Sequence, residues 1–438
     1  MNGQFLRFVG SVEELERAPE VRRQLFERAT SNDVPVRAMT AAILERVRRD
    51  GDDALHALAR ELDGVDIETL EVSRPARRRA LDALAAPLRA ALERSAANIA
   101  TVHHAFLPVA TEVETEPGVL VGRRPDPLDA VGVYAPGGRG AYPSSVLMGV
   151  VPARIAGVGT VVLCSPPGRD GSPAQVVLAA AEIAGADRVF ALGGAGAIAA
   201  MAYGTESVPS VCRIVGPGNA YVAEAKLQVQ ASGIVAIDSP AGPSELLVIA
   251  DATADPATIA REMLAQAEHD PWTSVVLVTD DELLARAVVI ALDRALPDQQ
   301  RSGIISEALR NRSAVVWGCT LRRAVDLAAE YAPEHLLLTG ARAEELLSDV
   351  RNAGTVFVGE QSSVVYGDYM TGANHVLPTG GAARSYSGLS TGDFMRWTTY
   401  QRVSRSGASL LAPAVAMIAE SEQLASHALA ARAWEEVP

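Results

Sequence analysis

The sequence predicts an α/β protein, because short apolar segments alternate with helix-like segments over most of its length. The apolar runs lie at residues 131–134, 161–164, 188–191, 213–215 and 234–237, and again at 246–250, 275–278, 314–317, 336–338 and 355–358. This alternation is typical of parallel sheets covered by helices on both faces. A chain of 438 residues with 48% hydrophobic residues is long enough to bury two cores. We therefore predict two Rossmann-like parallel-sheet domains.

Helical segments are predicted to flank the two sheets. Residues 11–108 are rich in Ala, Arg, Glu and Leu at helical spacing, and a helical pattern returns after Phe394. We divide the chain into an N-terminal helical segment (1–30), a first α/β domain (31–130 and 246–388), a second α/β domain (131–245) and a C-terminal helical tail (389–438).

Charge and composition favour small-molecule chemistry. The net charge of −14 and the pI near 5.1 disfavour binding to nucleic acid or to an anionic membrane, since like charges repel. Cys164, Cys212 and Cys319 lie in or beside apolar runs, which predicts reduced core residues rather than a catalytic thiol. The N-terminus lacks a signal-peptide pattern, and Pro152 and Arg154 interrupt the longest apolar stretch. We expect a soluble, cytoplasmic protein.

Two short motifs place a histidine beside a carboxylate. In Gln266-Ala-Glu-His269 the segment is predicted to be helical, so that Gln266 and His269 share one face and can bind one metal ion. In Pro333-Glu334-His335 the proline follows a predicted helix and prevents a further turn. Glu334 and His335 are therefore candidates for an acid/base pair.

The remaining histidines divide between the two halves of the chain. His56, His103 and His104 belong to the helical lead-in, where we expect solvated surface positions. In the second half of the chain, one set of residues has two interpretations: Gln266, His269, Asp368 and His427. They form a zinc site with mixed nitrogen and oxygen ligands, or each has a structural role. Glu422 and His427 are five residues apart, so this spacing fits a polar helix surface as well as it fits a shared binding site.

Three glycine turns follow predicted strands of residues 131–245. Gly194-Ala-Gly196-Ala-Ile-Ala199 matches the GxGxxA form of a dinucleotide fingerprint, but no acidic residue ends the next strand. Gly137-Gly138 and Gly216-Pro-Gly218 also follow strands. A nucleotide-binding domain and ordinary strand-to-helix turns both remain open. A Gly-, Ser- and Thr-rich stretch at 362–390 is too long for a plain connector and holds Asp368 and His375.

Taken together, several motifs resemble the histidinol dehydrogenase family, over residues 20 to 430. They are Tyr134-Ala-Pro-Gly-Gly138, Gly204-Thr-Glu-Ser-Val-Pro209, Gly216-Pro-Gly-Asn219, Ala241-Gly-Pro-Ser-Glu245, Gln266-Ala-Glu-His269, Tyr331-Ala-Pro-Glu-His335, Gly367-Asp-Tyr369 and Asn374-His-Val-Leu-Pro-Thr379. The resemblance implies oxidation of L-histidinol to L-histidine, the last steps of histidine biosynthesis, by two NAD-dependent hydride transfers with an aldehyde intermediate.

The resemblance also implies a role for each matching residue. Gln266, His269, Asp368 and His427 match zinc ligands, His335 the general base, and Glu334 the group that activates water. The residues that match substrate contacts are Ser244, Gln266, His269, His335, Asp368, His375, Glu422 and His427. Tyr134 and Asn219 match contacts to NAD. In the family the C-terminal tail reaches a neighbouring subunit, which implies a homodimer with shared active sites.

Two departures leave a second function open. Gly196 replaces a glutamine of the family, which removes a cofactor contact and is expected to loosen or rearrange NAD binding. Val364 replaces a common acid near the active site, so the substrate is expected to change to another polar alcohol, such as a sulfonated diol, if that acid contacts the substrate. Residues 386–390, Phe394 and residues 398–401 point the same way. Restoring Glu at 364 is then expected to raise histidinol turnover. A catalytically idle relative is a third hypothesis, which the retention of both Glu334 and His335 disfavours.

Overall fold

The computed structural model describes residues 5–28, 33–137, 140–240 and 242–435. It contains a six-stranded sheet, a five-stranded sheet and a three-stranded sheet. The strands are β1 (Phe8–Ser11), β2 (Thr111–Glu116), β3 (Val119–Pro127), β4 (Ala130–Tyr134), β5 (Thr160–Ser165), β6 (Arg188–Ala191), β7 (Arg213–Val215), β8 (Ala236–Ile237), β9 (Glu245–Ala250), β10 (Ser274–Thr279), β11 (Ala314–Trp317), β12 (His335–Thr339), β13 (Thr355–Val358) and β14 (Met395–Val403).

Helices cover both faces of the two larger sheets, and two further helices, the last in the described residues, pack on each other. The helices are α1 (Val12–Glu16), α2 (Pro19–Phe26), α3 (Val34–Leu58), α4 (Arg74–Asp82), α5 (Ala86–Ala105), α6 (Pro143–Ile155), α7 (Gln175–Ala184), α8 (Gly194–Tyr203), α9 (Ala220–Ala231), α10 (Pro256–Ala267), α11 (Glu282–Ala295), α12 (Ser302–Arg312), α13 (Leu321–Tyr331), α14 (Ala343–Leu346), α15 (Val364–Tyr369), α16 (Arg405–Ser421) and α17 (Ala425–Arg432). No helix in these described ranges has the length and apolar character that a membrane span requires.

The two larger sheets share one topology. The five-stranded sheet has the order β6-β5-β4-β7-β8, and the six-stranded sheet has the order β1-β11-β10-β9-β12-β13. All strand pairs in both sheets are parallel. Apart from β1, each sheet follows the Rossmann strand order. In this order, strands are added first on one side of the first strand and then, past a reversal point, on its other side. The reversal points lie between β4 and β7 and between β9 and β12, and the predicted α/β fold class is confirmed.

Strand composition explains why the two sheets are buried on both faces. All six residues of β9 and all six residues of β10 are buried, and most of them are aliphatic. Such continuous apolar runs are typical of parallel strands with helices on both sides. The charged exception in β9 is Glu245, whose partners are described below.

The ends of the chain contain strands that the sequence did not predict. The N-terminal segment includes β1, which pairs in parallel with β11, so that this segment is not purely helical. The C-terminal tail includes β14, which pairs antiparallel with β3. Strand β2 completes that third sheet and is exposed along its whole length. These strands were missed because they lack the continuous apolar runs of the two parallel sheets.

The helices before β2 pack differently from the predicted domain division. Residues 31–130 were grouped with 246–388, but the buried face of α3 contacts α8 and α9, and α5 packs on α6, beside the five-stranded sheet. Helical periodicity shows that a helix has an apolar face, but not which sheet that face covers.

Candidate active site

The predicted acid/base pair lies where α13 gives way to β12. Helix α13 ends at Tyr331, and Ala332 adopts a left-handed conformation (φ 52°, ψ 66°) that turns the chain. Pro333 prevents any further helical turn. Glu334 and His335 follow, and His335 is the first residue of β12. Both side chains are buried, with residue exposures of 6% and 3%.

The His335 imidazole has carboxylates near both of its nitrogens. Nδ1 lies 3.0 Å from the Glu245 carbonyl oxygen and 3.4 Å from Oε2 of Glu334, while Nε2 lies 3.8 Å from Oδ1 of Asp368. Burial alone would lower the pKa of His335, but the charge and hydrogen bond of Glu334, followed by the charge of Asp368, raise it to about 9. Glu334 is fixed in turn, because its Oε2 accepts a hydrogen bond from the Glu245 amide at 2.7 Å.

Asp368 and His375 come from the Gly-, Ser- and Thr-rich stretch. Asp368 lies on α15, and burial raises the pKa of its carboxyl group to about 6 despite the opposing charge of His335. His375 Nδ1 lies 2.9 Å from the Asp368 carbonyl oxygen, and Nε2 lies 3.5 Å from Oγ of Ser145 on α6. Burial lowers the pKa of His375 to about 4. The stretch therefore joins the end of the six-stranded sheet that carries His335 to α6 beside the five-stranded sheet.

Gln266 and His269 remain neighbours, although they are not both helical. Gln266 is buried near the end of α10, which stops at Ala267, and the backbone amide of His269 donates to the Gln266 carbonyl at 3.3 Å. The predicted helix was therefore too long at this point. Burial, followed by the positive charge of the nearby His335, lowers the pKa of His269.

The residue types near His335 suit a metal, but one chain does not supply a full set. Gln266, His269 and Asp368 offer an amide oxygen, an imidazole and a carboxylate, which is a donor set that zinc accepts. No three His, Cys, Asp or Glu side chains in the described ranges form a metal-binding group. Glu422, which caps the end of α16, and His427 on α17 are exposed, and among the described residues neither forms an ion pair with Asp368 or His335.

The predicted nucleotide residues flank the reversal point of the five-stranded sheet. Tyr134 ends β4, and Asn219 follows β7 and caps α9 by accepting hydrogen bonds from two amides of its first turn. The Tyr134 hydroxyl accepts a hydrogen bond from the Gly194 amide at 3.1 Å. In open α/β sheets, ligands bind in the crevice at the carboxyl ends of the strands beside such a point.

The GxGxxA turn does not occupy the usual fingerprint position. It follows β6, an edge strand, whereas a standard dinucleotide fingerprint follows the first, central strand. A Cβ at Gly196 would lie 3.2 Å from Leu58 Cδ1, so this glycine allows α8 to approach α3. Gly138 and Ala241, which belong to two other motifs, lie outside the described residues.

Two buried ion pairs beside these sites were missed by the sequence analysis. Lys226 pairs with Asp238 under the Gly216 turn, and Arg28 pairs with Glu245 under His335. One signal was available for the first pair, since Lys226 is the only lysine in a sequence with 39 Lys and Arg residues. A composition that otherwise uses arginine throughout indicates a specific requirement at this position.

A cavity of about 240 Å³ opens beside the second ion pair, between the two larger sheets. It is lined by Arg28, by α9 residues such as Glu224, and by the segment Thr379–Ala382. Ser244, the predicted substrate contact, directly precedes Glu245 and so lies at the amino end of β9, next to the backbone that contacts His335 and Glu334.

The residues that suggested a different substrate have structural roles. Val364 is 2% exposed and packs in the apolar cluster of the six-stranded sheet, with Phe357 against that cluster. Phe394 is fully buried beside α6, and Thr398 to Gln401 form ladder pairs with β3.

Two further expectations were wrong. His103 was expected at the solvated surface but is buried, and Cys212 was expected in the core but is exposed.

The fold and the site together define an α/β protein with two parallel sheets, in which a buried histidine and carboxylate pair lies beside one reversal point and a predicted nucleotide site lies beside the other. The family model described as histidinol dehydrogenase matches residues 26–434. The chain therefore belongs to the histidinol dehydrogenase family and is an oxidoreductase, as the motifs predicted.

Individual relatives agree with this assignment. The chain is 47% identical to the histidinol dehydrogenase of Methanothermobacter thermautotrophicus over 405 residues, which cover 92% of this chain and 95% of that protein. It is 49% identical to that of Halobacterium salinarum over 412 residues, which cover 94% and 96%. The crystal structure of histidinol dehydrogenase from Elizabethkingia anophelis superposes with a TM-score of 0.92, at 33% identity and 98% coverage of both chains.

Proposed function

We propose that the chain is a zinc-containing, NAD-dependent histidinol dehydrogenase that oxidises L-histidinol to L-histidine through the aldehyde in two hydride transfers. The observation that carries the proposal is the buried pair of Glu334 and His335, with Asp368 facing the second nitrogen of the imidazole. Family membership supplies the substrate, since the relatives named above are histidinol dehydrogenases.

His335 is proposed to accept the proton of the alcohol. Its Nδ1 is engaged by the Glu245 carbonyl oxygen, which leaves Nε2 to exchange a proton with substrate. The imidazole must be neutral to do so, whereas the two carboxylates raise its pKa to about 9. A positive group bound to Asp368 would offset one of those charges and return the pKa towards neutrality. Asp368 is also a proposed zinc ligand, so the two roles agree.

Glu334 is proposed to act in the second oxidation. After the first hydride transfer the substrate carbon is an aldehyde, which needs water before a second hydride can leave. A carboxylate that is held in place by the Glu245 amide can accept a proton from that water. Its burial keeps other solvent away from the intermediate.

Zinc is proposed to be held by Gln266, His269 and Asp368 of one subunit and by His427 of the other. When bound, zinc would orient the imidazole and amine of the substrate as a template. Ser244 and His375, together with Glu422 from the second subunit, would complete the substrate site. Tyr134 and Asn219 are proposed to contact NAD at the reversal point between β4 and β7.

The C-terminal helix pair supports the proposal of a homodimer with shared sites. Helices α16 and α17 pack on each other around Ala416, Ala419 and Ala428. Large apolar side chains of this pair remain exposed, among them Met417 (64%), Ile418 (61%), Leu429 (67%) and Trp434 (58%). Exposed apolar patches of this kind mark association surfaces. We propose a cytoplasmic dimer that binds neither nucleic acid nor membrane, in keeping with its net charge of −14.

The proposal is tested by counting NADH formed for each L-histidinol consumed by the zinc-loaded protein, with His335→Gln as the inactive control. We expect a ratio of about two, since each hydride transfer reduces one NAD. A ratio near one would show that the enzyme does not carry out the second oxidation. If histidinol is not oxidised by the zinc-loaded dimer, but another polar alcohol yields NADH, the substrate assignment is wrong.

A further inference from the structure

The backbone of a single residue, Glu245, contacts both proposed catalytic side chains. The Glu245 carbonyl oxygen lies 3.0 Å from Nδ1 of His335, and the Glu245 amide donates to Oε2 of Glu334 at 2.7 Å. A carbonyl oxygen only accepts, so Nδ1 must carry the hydrogen in this contact, while Nε2 faces Asp368. The orientation of the imidazole and the position of the carboxylate therefore both depend on the backbone of Glu245.

The Glu245 side chain is fixed by a buried arginine. Arg28 donates from Nε to Oε1 at 2.7 Å and from Nη2 to Oε2 at 3.1 Å, which is a bidentate pair. The Gly380 amide donates to Oε1 at 2.8 Å. Both side chains of the ion pair are almost completely buried, with exposures of 1% and 3%.

Arg28 also fixes the segment that carries the catalytic pair. Its Nη2 donates to the Tyr331 carbonyl oxygen at 2.7 Å, and its guanidinium lies 3.4 Å from the centre of the Tyr331 ring. Tyr331 ends α13, three residues before Glu334. The Tyr331 hydroxyl donates to Oγ of Ser274 on β10 at 2.8 Å. One guanidinium thus joins the start of β9 to the turn that leads into β12.

We propose that Arg28 and Glu245 are positioning residues for His335 and Glu334, an inference that rests on the proposed dehydrogenase activity. Burying an ion pair is costly, and well-packed apolar residues of similar volume often serve stability equally well. The role of the ion pair is therefore to fix the positions of backbone groups rather than to add stability. It holds the Glu245 peptide in place, and small displacements of catalytic groups reduce rates strongly.

The test uses Arg28→Ala, because the lost guanidinium borders the cavity and can be replaced from solvent. We expect kcat for histidinol oxidation to fall about 10²-fold, with the KM values for histidinol and NAD changed less than about threefold. Millimolar methylguanidinium should restore much of kcat, whereas methylurea, a neutral molecule of similar shape, should not. A variant with unchanged kcat would overturn the proposal.

Arg22→Ala is the matched control. Arg22 lies on α2, pairs with Glu330 at the end of α13 and stacks on Phe26, but it is partly exposed. The Arg22→Ala variant should therefore leave kcat for histidinol oxidation unchanged. If Arg28→Ala does not fold, the neutral double variant Arg28→Met/Glu245→Gln avoids an unpaired buried charge. The double variant should fold and still lose kcat; a folded double variant with full kcat would contradict the positioning role.

A spectroscopic readout separates this inference from the proposed activity. With ¹⁵N-labelled histidine, the Nδ1 signal of His335, assigned from its loss in His335→Gln, should be that of a protonated nitrogen. In Arg28→Ala the signal should shift, and methylguanidinium should reverse the shift. A signal unaffected by Arg28→Ala overturns the inference even if the wild type is inactive. Inactivity of the wild type with the expected shift would refute only the proposed function.

Discussion

At the scale of single residues, the structure assigns different roles to positions that resemble one another in sequence. His103 and His104 are neighbours on α5, yet His103 is 1% exposed and His104 is exposed. Among the described residues, both ring nitrogens of His103 lack a hydrogen-bond partner. Burial lowers the pKa of His103 to about 4. The helical pattern did not reveal this difference, because adjacent positions lie about 100° apart on a helix and its buried face is set by packing.

His103 is expected to make folding stability depend on pH. The unfolded chain takes up a proton at this histidine below about pH 6.5, but the folded chain does so only near pH 4. Stability should therefore fall as the pH decreases from 6.5 to 4. His103→Leu should reduce this dependence in urea denaturation, and His104→Leu should not. Equal pH dependence of wild type and His103→Leu would contradict the assignment.

Val364 is expected to determine stability rather than substrate choice. The residue is buried, and its amide donates to Oε2 of Glu262 at 3.0 Å, so a carboxylate at 364 would lose its hydration close to another carboxylate. Val364→Glu should lower the free energy of unfolding by at least about 2 kcal/mol without raising histidinol turnover. Val365→Glu is the control, at a position that is 36% exposed, and should cost less than about 0.5 kcal/mol. A stable Val364→Glu variant with higher histidinol turnover would restore the earlier hypothesis.

At the scale of elements, the turn after β7 is held by an ion pair from the helix and strand that follow it. Lys226 on α9 donates to the Gly216 carbonyl oxygen at 3.0 Å, and the Gly216 amide donates to Oδ2 of Asp238 at 2.8 Å. Gly216 has a φ of 117°, and a Cβ there would lie 2.1 Å from the Tyr134 carbonyl oxygen. The turn can therefore approach β4 closely only with glycine at this position.

Loss of this ion pair is expected to weaken NAD binding. The neutral double variant Lys226→Met/Asp238→Asn removes both charges and so avoids an unpaired buried ion. It should raise the KM for NAD about tenfold and leave the KM for histidinol unchanged, since only the turn at the reversal point is released. Gln230→Met, an exposed position on the same helix, is the control. Equal changes in both KM values would indicate general loosening of the fold.

At the scale of the whole molecule, the proposed dimer would place the apolar surface of the C-terminal helix pair and His427 against a second subunit. Two inactive variants then provide a direct test of shared sites. In a mixed dimer of His335→Ala and His427→Ala, one site carries both changes and the other carries none. Refolding the two together should restore about a quarter of wild-type activity, since half of the dimers are mixed and each has one intact site. No recovery, with mixed dimers present, would refute shared sites.

The sequence by itself determined the two α/β units, the adjacency of Glu334 and His335 at the end of a helix, and the family. The strand-like runs span three to five apolar residues, and a motif such as Tyr331-Ala-Pro-Glu-His335 spans five residues. Each of these signals is therefore contained in a short local segment. The six-stranded and five-stranded sheets follow from that alternation, because parallel strands need helical connections.

Only the tertiary structure decided which distant residues meet. Arg28 and Glu245 are 217 residues apart, and nothing near either of them in sequence indicates the other. The same holds for the pairing of β1 with β11, for the sheet that α3 covers, and for the burial of His103 and Val364. Local patterns fix the period and polarity of a segment. The partner that its buried face selects depends on packing across the whole chain.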